Sequence, residues 1–403
     1  MGRDFRLLVA GRTITALGNA IAPIALAFAV LDLTGSAADL GLVVGARMLA
    51  NVAFLLFGGA LADRVPRHVL MVGAGLAAAL SQAVVAALVL TGTATIPLLI
   101  GLSAVNGMVG ALALPASAAI LPQLVPADLR QKANGINRML FNGAAIVGAP
   151  VGGLLVAATS PGWGIAVDAA AFLASAGCFA LLRLPAAAPG LRHSILTDLR
   201  IGWSEFRSRT WLWVVVAGFC VVNAALSGGM TVLGPVVADA GVGRDAWGFV
   251  LAAQTGGMVL GALLAIRIRV PRLLFFGVIS TALLALPLLA LGLAPRLWLL
   301  LASAFLAGVG VEQFGVAWET TMQEHVPADK LARVYSYDMV GSFVAIPIGQ
   351  VAAGPLAEAW GLTPTLFGAA ALILLAVLGM VSSPDVRHLR HRLPDRPMEE
   401  LVR

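Results

Sequence analysis

Residues 58–68 read Gly58-Gly59-Ala60-Leu61-Ala62-Asp63-Arg64-Val65-Pro66-Arg67-His68. The segment closes one apolar run, 40–61, and opens another, 68–90. Asp63, Arg64 and Arg67 crowd the gap, and Pro66 resists continuing a helix through it. A helix crosses about 30 Å of hydrocarbon with about 20 mostly apolar residues. Both runs meet that length. The segment therefore reads as a tight charged turn between two membrane-crossing helices.

The same reading extends along the chain. Of 403 residues, 60% are hydrophobic and 11% charged, and the mean hydropathy is +0.94. A soluble domain carries about 25% charged residues, so this composition argues against a water-soluble enzyme. Twelve apolar runs follow one another at 5–31, 40–61, 68–90, 97–119, 133–158, 163–183, 211–237, 246–266, 272–292, 297–319, 333–357 and 362–382. Transmembrane strands are about 10 residues long and alternate in polarity, and these runs do neither. The expected fold is an all-α membrane protein with twelve transmembrane helices in a lipid bilayer. The start, MGRDFRLLVAGR, shows no small-residue cleavage site and reads as a retained first helix.

Most connections are short turns, such as Asp32-Leu33-Thr34-Gly35-Ser36 and Thr91-Gly92-Thr93. The exception is 184–210, with Pro185, Pro189, Arg192, Arg200, Arg207 and Arg209. This linker separates an N-terminal six-helix bundle (1–183) from a C-terminal one (211–382), with a tail at 383–403. Placing the N-terminus in the cytoplasm puts nearly every basic loop residue on the inner side. Only Arg244 and Arg296 are left outside. That asymmetry follows the positive-inside rule and predicts a multi-pass protein of the inner (plasma) membrane with both termini cytoplasmic. The halves also repeat. Val125-Pro126-Ala127-Asp128 returns 201 residues on as Val326-Pro327-Ala328-Asp329. Arg64-Val65-Pro66-Arg67 returns 205 residues on as Arg269-Val270-Pro271-Arg272.

Gly59, Leu61, Asp63, Arg64 and Arg67 match a Gly-x-Leu-Ala-Asp-Arg-x-x-Arg pattern. It resembles the loop signature of the major facilitator superfamily. With twelve spans and a doubled six-helix unit, the resemblance covers nearly the whole chain. Leu33-Thr34-Gly35-Ser36 and Leu40-Gly41-Leu42 look like the branch of siderophore, macrolide and drug exporters. The resemblance implies two pseudo-symmetric six-helix bundles that rock about a central site, and a working monomer. It also implies that Gly59, Asp63, Arg64 and Arg67 form a cytoplasmic latch. Physically, Asp63 is an anion suited to the positive N-terminal end of helix 11. Helix 5 carries Gly148, Pro150, Gly152 and Gly153. This resembles the exporters' Gly-Pro-x-x-Gly-Gly run, with the proline displaced by one. Arg138 on helix 5 and Asp338 on helix 11 are candidates for a second inner latch.

Charges inside a span are costly and face the protein interior or a wet cavity. Glu312 lies about 15 residues, or ~23 Å, into helix 10, with Glu319 two turns on. Both are candidates for proton coupling, and a fixed interhelical bond is the alternative role for Glu312. Arg47 on helix 2 finds its expected partner in Asp32 at the outer end of helix 1. Arg12, Asp168 and Glu358 lie near predicted helix ends and read as solvated interface positions. Asn19, Asn106, Asn142, Asn223, Gln254 and Gln313 are candidates for a substrate cavity, and helix–helix hydrogen bonds are their other role.

Other chemistry is not encoded. Only Lys132 and Lys330 are lysines, and neither stands in a phosphate-binding glycine frame. The histidines and the two cysteines, Cys178 and Cys220, have no metal-ligand spacing, so neither metal nor cofactor is expected. The net charge of +6 is spread between apolar runs rather than gathered in a nucleic-acid patch. These features predict a secondary active transporter rather than an enzyme. Its expected function is proton-coupled export, by antiport, of small amphipathic compounds such as drugs or secondary metabolites. Two alternatives stay open: an importer or facilitator of a small nutrient on the same fold, and a membrane sensor or lipid enzyme.

Overall fold

The computed structural model describes residues 2–62, 67–118, 120, 124–125, 130–182, 203–268, 270–293 and 295–391. Among them twelve long helices succeed one another. The first half holds α1 (Arg3–Thr34), α2 (Ala37–Ala62), α3 (Arg67–Leu90), α4 (Ile96–Ala118), α5 (Arg130–Ala158) and α6 (Pro161–Ala180). The second half holds α7 (Thr210–Ala240), α8 (Arg244–Ala265), α9 (Leu273–Leu293) and α10 (Leu297–His325). It ends with α11, in two pieces at Ala328–Phe343 and Ile346–Trp360, and α12 (Leu362–Ser382). The expected runs coincide with these helices, although α1 and α10 extend further. Hydrophobic side chains such as Leu80, Leu263 and Leu375 are exposed on the outside, as lipid-facing positions should be. Turns between spans are tight. Gly35 closes α1 in the left-handed conformation, φ +66°, and its N–H reaches the Leu31 carbonyl.

The helices pack as two like bundles. In the first, α2 lies on α4, α1 on α5 and α6, and α3 on α6. In the second, α8 lies on α10, α7 on α11 and α12, and α9 on α12. The halves meet along two seams, α5 with α8 and α2 with α11. We call the end of the bundle that carries the chain termini the near end, and the opposite one the far end.

Glycines set the pseudo-symmetry. A methyl group on Gly107 of α4 would overlap the Arg47 carbonyl oxygen of α2. One on Gly308 of α10, 201 residues later, would overlap the Gln254 carbonyl oxygen of α8. At the seams, Gly41 of α2 presses on the Gln350 carbonyl oxygen of α11, and Gly248 of α8 on that of Ala149 of α5. Gly354 of α11 presses on Ala38, and Gly153 of α5 on Arg244 and Asp245. These pairs map onto one another when α4 and α5 are shifted by 201 residues and α2 by 207. Small residues let membrane helices come this close, and dispersion and interhelical hydrogen bonds then hold them.

Only the end of the linker is described, and it is anchored. Residues 203–207 form a short helix at the near end. Trp203 and Phe206 pack on Tyr337 of α11, and Glu205 binds Lys330 (2.9 Å) and Arg209 (2.5 Å). Hydrogen bonds from Lys330 and Arg209 hold the Glu205 carboxyl below its ordinary pKa.

Two predictions follow from this packing. Gly308→Ala and Gly107→Ala should each destabilise the purified protein by about 1–3 kcal/mol through overpacking, read as a lower thermal melting point in detergent. A melting point equal to wild type for both would show that these contacts relax freely. For Glu205, the lowered pKa means its anchoring is complete above the ordinary carboxylate range and is lost as pH falls through the lowered value. Intrinsic-rate-corrected hydrogen exchange of residues 203–209 should rise on acidification. Glu205→Gln should raise it at neutral pH.

Candidate functional site

A cavity of about 300 Å³ sits between the two halves. Pro23 and Ile24 of α1 line it from the first half. Asn223, Met230, Trp247 and Gln254 of α7 and α8 line it from the second. No charged side chain lines it among the described residues. Its volume is at the lower bound for a small organic ligand, and its wall mixes amide groups with apolar and aromatic surface. The Asn223 side-chain amide donates to the Ser342 carbonyl of α11 (2.9 Å) and is thereby held in place. A π-helical turn, Gly228–Leu233, interrupts α7 beside the cavity, and Gln350 of α11 donates to the Ser227 hydroxyl just before it (2.8 Å). Such turns are common at functional sites.

The far end is closed. Arg244 at the start of α8 binds both oxygens of Asp32 on α1, at 3.0 and 2.5 Å, and reaches Asp239 of α7 at 2.6 Å. Its guanidinium also lies 4.9 Å from the centre of the Phe28 ring. Beneath this clamp run the glycine contacts of both seams. Toward the near end the first piece of α11 packs on α7 and α10, and its second piece packs on α2. A further apolar cavity of about 420 Å³ opens there between α1 and α5. The central cavity is thus clamped shut on its far side.

The residues singled out from sequence fall into several groups. Asn223 and Gln254 line the cavity. Asn19, four residues before Pro23 on the same face of α1, is exposed, and it is the counterpart of Asn223 at an offset of 204. Asn142 is exposed on α5, two turns from Ala149 on the face turned to α8. Asn106, 5% exposed, is instead buried in the first bundle, where its amide nitrogen has no partner. Gln313 donates to the Gly261 carbonyl of α8 (2.6 Å), and Glu312, beside it, packs its Cβ over Gly261. Glu312 is half-buried and Glu319 exposed. Both oxygens of Asp338 are engaged within the second half, by Trp318 (2.9 Å) and Ser342 (3.1 Å). Gly148 and Gly152 pack on Ala20 and Ile21 of α1, while Pro150 and Gly153 meet α8. This group therefore builds the α1–α5–α8 junction. Gly59 lies on α2 and Arg138 on α5, and Arg67 starts α3. Asp63, Arg64 and the side chains of Arg67 and Arg138 lie outside the described residues.

Two expectations are corrected. Asp32 pairs with Arg244, not Arg47. Arg47 sits ten residues, or ~15 Å, into α2, too deep to reach the far tip of α1. Asp168 is not at a solvated end either: it is 1% exposed, and its Oδ2 accepts a hydrogen bond from Gln82 of α3 (2.5 Å). Sequence reading missed Arg244 as a clamp because it appeared only as a loop cation against the charge rule.

A model of the Major Facilitator Superfamily matches residues 8–349. The chain is 28% identical over 397 residues to the multidrug efflux pump Tap of Mycolicibacterium fortuitum, covering 95% of this chain and 96% of that one. It is 27% identical over 404 residues to Tap of Mycobacterium tuberculosis H37Rv, covering 95% and 94%. Among solved structures it is similar to the nucleoside transporter NupG, with TM-score 0.74, 13% identity and coverage of 96% and 100%. A bacterial homologue of the human lysosomal transporter Spinster, inward-facing and unoccupied, gives TM-score 0.74, 16% identity and coverage of 96% and 98%. At these identities the two structures speak to the fold alone.

The clamp makes a measurable prediction. A partly exposed ion pair is worth about 1 kcal/mol, so Arg244→Ala should raise far-end opening about fivefold. Thiol labelling of Ser36→Cys, with Cys178 and Cys220 replaced by alanine, should accelerate accordingly. The charge swap Asp32→Arg with Arg244→Asp should slow it again. Labelling indifferent to Arg244 would remove the clamp from gating.

Proposed function

The chain belongs to the Major Facilitator Superfamily, and on that premise we propose that it exports small amphipathic organic molecules in exchange for protons. The observation that carries this reading is the central cavity, whose amides, aromatic ring and aliphatic wall suit cargo with both polar and apolar faces. The curated relatives named multidrug efflux pumps support it. The chain has no nucleotide-binding frame, so an ion gradient is the natural driver.

In this reading the near end faces the cytoplasm, where the basic loops lie, and the protein works as a monomer in the inner membrane. The cavity opens inward to load cargo, and the far-end clamp keeps it from the outside. Release needs the reverse: the clamp parts and the near end closes. The Gly59–Arg67 turn then latches the inner face, with Arg138 and Asp338 as a second contact. Residues 1–183 and 211–382 move as the two rocking bodies, joined by 184–210. Glu312 and Glu319 of α10 are the candidate acids for coupling. An importer of a small polar nutrient is the rival reading, and a cavity richer in polar groups would favour it.

Inverted membrane vesicles test the proposal. With an imposed proton gradient they should accumulate amphipathic dyes from a compound panel, and a protonophore should abolish accumulation. Gln254→Ala combined with Asn223→Ala should reduce uptake of affected compounds by about fivefold or more, since each removes a hydrogen bond worth about 1 kcal/mol. Uptake that ignores the gradient would exclude coupled export. An unchanged pH profile in Glu312→Gln would take Glu312 out of the coupling.

A further inference from the structure

The α11 helix breaks in the wall of the central cavity. Pro347 has no N–H to give the Phe343 carbonyl, and the helix is interrupted at 344–345. Ile346, the first residue beyond the break, lines the cavity directly. Two hydrogen bonds to α7 hold the backbone on either side. Before the break, the Ser342 carbonyl accepts from the Asn223 side-chain amide (2.9 Å). After it, the Gln350 amide donates to the Ser227 hydroxyl (2.8 Å). Asn223 and Ser227 both line the cavity, and they lie in the turn of α7 that leads into its π-helical segment. Residues 342, 346 and 350 of α11 therefore touch the cavity wall or stand one hydrogen bond from it.

Three features separate these bonds from ordinary packing. First, the two pieces of α11 have different attachments. The piece before the break is tied to the near end: Asp338 accepts from Trp318 of α10 (2.9 Å), and Lys330 binds Glu205 (2.9 Å). The piece after it forms the seam, where Gly41 and Gly45 of α2 press on Gln350 and Val351. A change of angle at 344–345 therefore moves the near-end piece and leaves the seam in place. Second, the cavity of about 300 Å³ is at the lower bound for a small organic ligand, so larger cargo has to displace its wall. Trp247, 2% exposed and packed on Gly234, has no room to yield. The interrupted backbone beside Ile346 is the softer part. Third, the first half keeps the amide without the hold. Asn19, the counterpart of Asn223, is exposed, and α5 runs as one helix from Arg130 to Ala158, with no break to support. At the offset of 201, the counterpart of Gln350 is Ala149.

We propose that Asn223, Ser227 and Gln350 are positioning residues that hold the α11 break in its resting bend, and that cargo entering the cavity releases this hold. The proposal rests on the reading of the chain as an exporter of small amphipathic molecules. A cargo with hydrogen-bonding groups competes for the Asn223 amide and the Ser227 hydroxyl, while its body presses on Ile346. The Ser342 carbonyl and the Gln350 amide then lose their partners. The piece Ala328–Phe343 turns at 344–345, with its bonds to Trp318 and Glu205 intact. Departure of the cargo lets both bonds re-form and resets the near end.

The full chain in liposomes provides the test, with hydrogen exchange of the segment 340–350 as the readout. Without dye, Asn223→Ala and Gln350→Ala should each raise that exchange about fivefold, the worth of one hydrogen bond, while exchange in α1 stays within about twofold of wild type. Saturating ethidium, with binding followed by its fluorescence, should raise the exchange of wild type by a similar factor. In the double variant it should add less than about twofold. Gln350 is 6% exposed and does not line the cavity. Gln350→Ala should therefore lower the maximal rate of gradient-driven ethidium uptake about fivefold, because the near end resets poorly, with KM within about twofold of wild type. Exchange equal to wild type in both single variants would overturn the proposal. So would an ethidium response of equal size in wild type and the double variant, or none in wild type. A rise shared by α1 would mark general destabilisation and likewise overturn it. A raised KM at unchanged maximal rate in Gln350→Ala would make that residue a cargo contact and remove it from the hold. If ethidium loosened the break in wild type but no gradient-driven uptake followed, the export reading would fail and the cargo-released hold would stand.

Discussion

In a bilayer, helices gain no hydrophobic energy by leaving lipid for one another, so a bundle is held by close van der Waals contact and by its few interhelical hydrogen bonds. This protein meets that constraint by setting glycine against backbone. Gly107 on Arg47 and Gly308 on Gln254 bring α2 to α4 and α8 to α10. Gly41 on Gln350 and Gly248 on Ala149 bring the halves together. Each contact leaves no room for a methyl group, so the helix spacing, and with it the width of the cavity between α1, α7 and α8, is fixed by absent side chains.

The same choice makes the seams movable. Smooth backbone faces lack the interlocked side chains that would have to disengage before two bodies could rock. Among the described residues, the ion pair that crosses the halves is the Arg244–Asp32 contact of the clamp at the far rim, where water can solvate the ions once they separate. Deformable backbone lies close by. The α11 helix breaks between Phe343 and Ile346, α7 carries a π-helical turn, and the Gln350–Ser227 hydrogen bond joins these regions. Among the described residues the seam is therefore strong in dispersion, weak in specific bonds away from its rim, and bordered by helices that bend.

Much of this was legible in the sequence, because apolar length and loop charge are one-dimensional properties. The twelve runs matched the twelve helices, and the family followed from the turn at 58–68 and the doubled unit. What the sequence hid was lateral. The repeated Arg-Val-Pro-Arg motif after helix 2 has an offset of 205, whereas the packing glycines of α2 and α8 are 207 apart. A two-residue difference before the loop masks the equivalence of Arg47 and Gln254. Asp168 looked solvated because distance from a helix end says nothing about which neighbours surround it. Asp32 and Arg47 were paired on adjacent helices, yet the nearer cation in space arrives from α8, across the seam. Among the cavity candidates, composition could not separate Asn223, which lines the cavity, from Asn106, which is enclosed within its own bundle.

The residues that carry chemistry are best found by subtracting one half from the other. Where both halves keep the same residue type, as at Asn19 and Asn223 or Gly107 and Gly308, the shared scaffold accounts for it. Where they differ, some local demand has overridden the symmetry. Arg47 against Gln254 and Asp168 against Ala369 are two such differences. Burying the Asp168 carboxyl costs desolvation that a neutral residue would avoid, and Ala369 at the counterpart position shows that the fold closes without it. Two identical halves would place each residue twice, whereas this chain puts a buried carboxyl in the first half and, at the level of Arg47, a neutral amide on the cavity wall in the second.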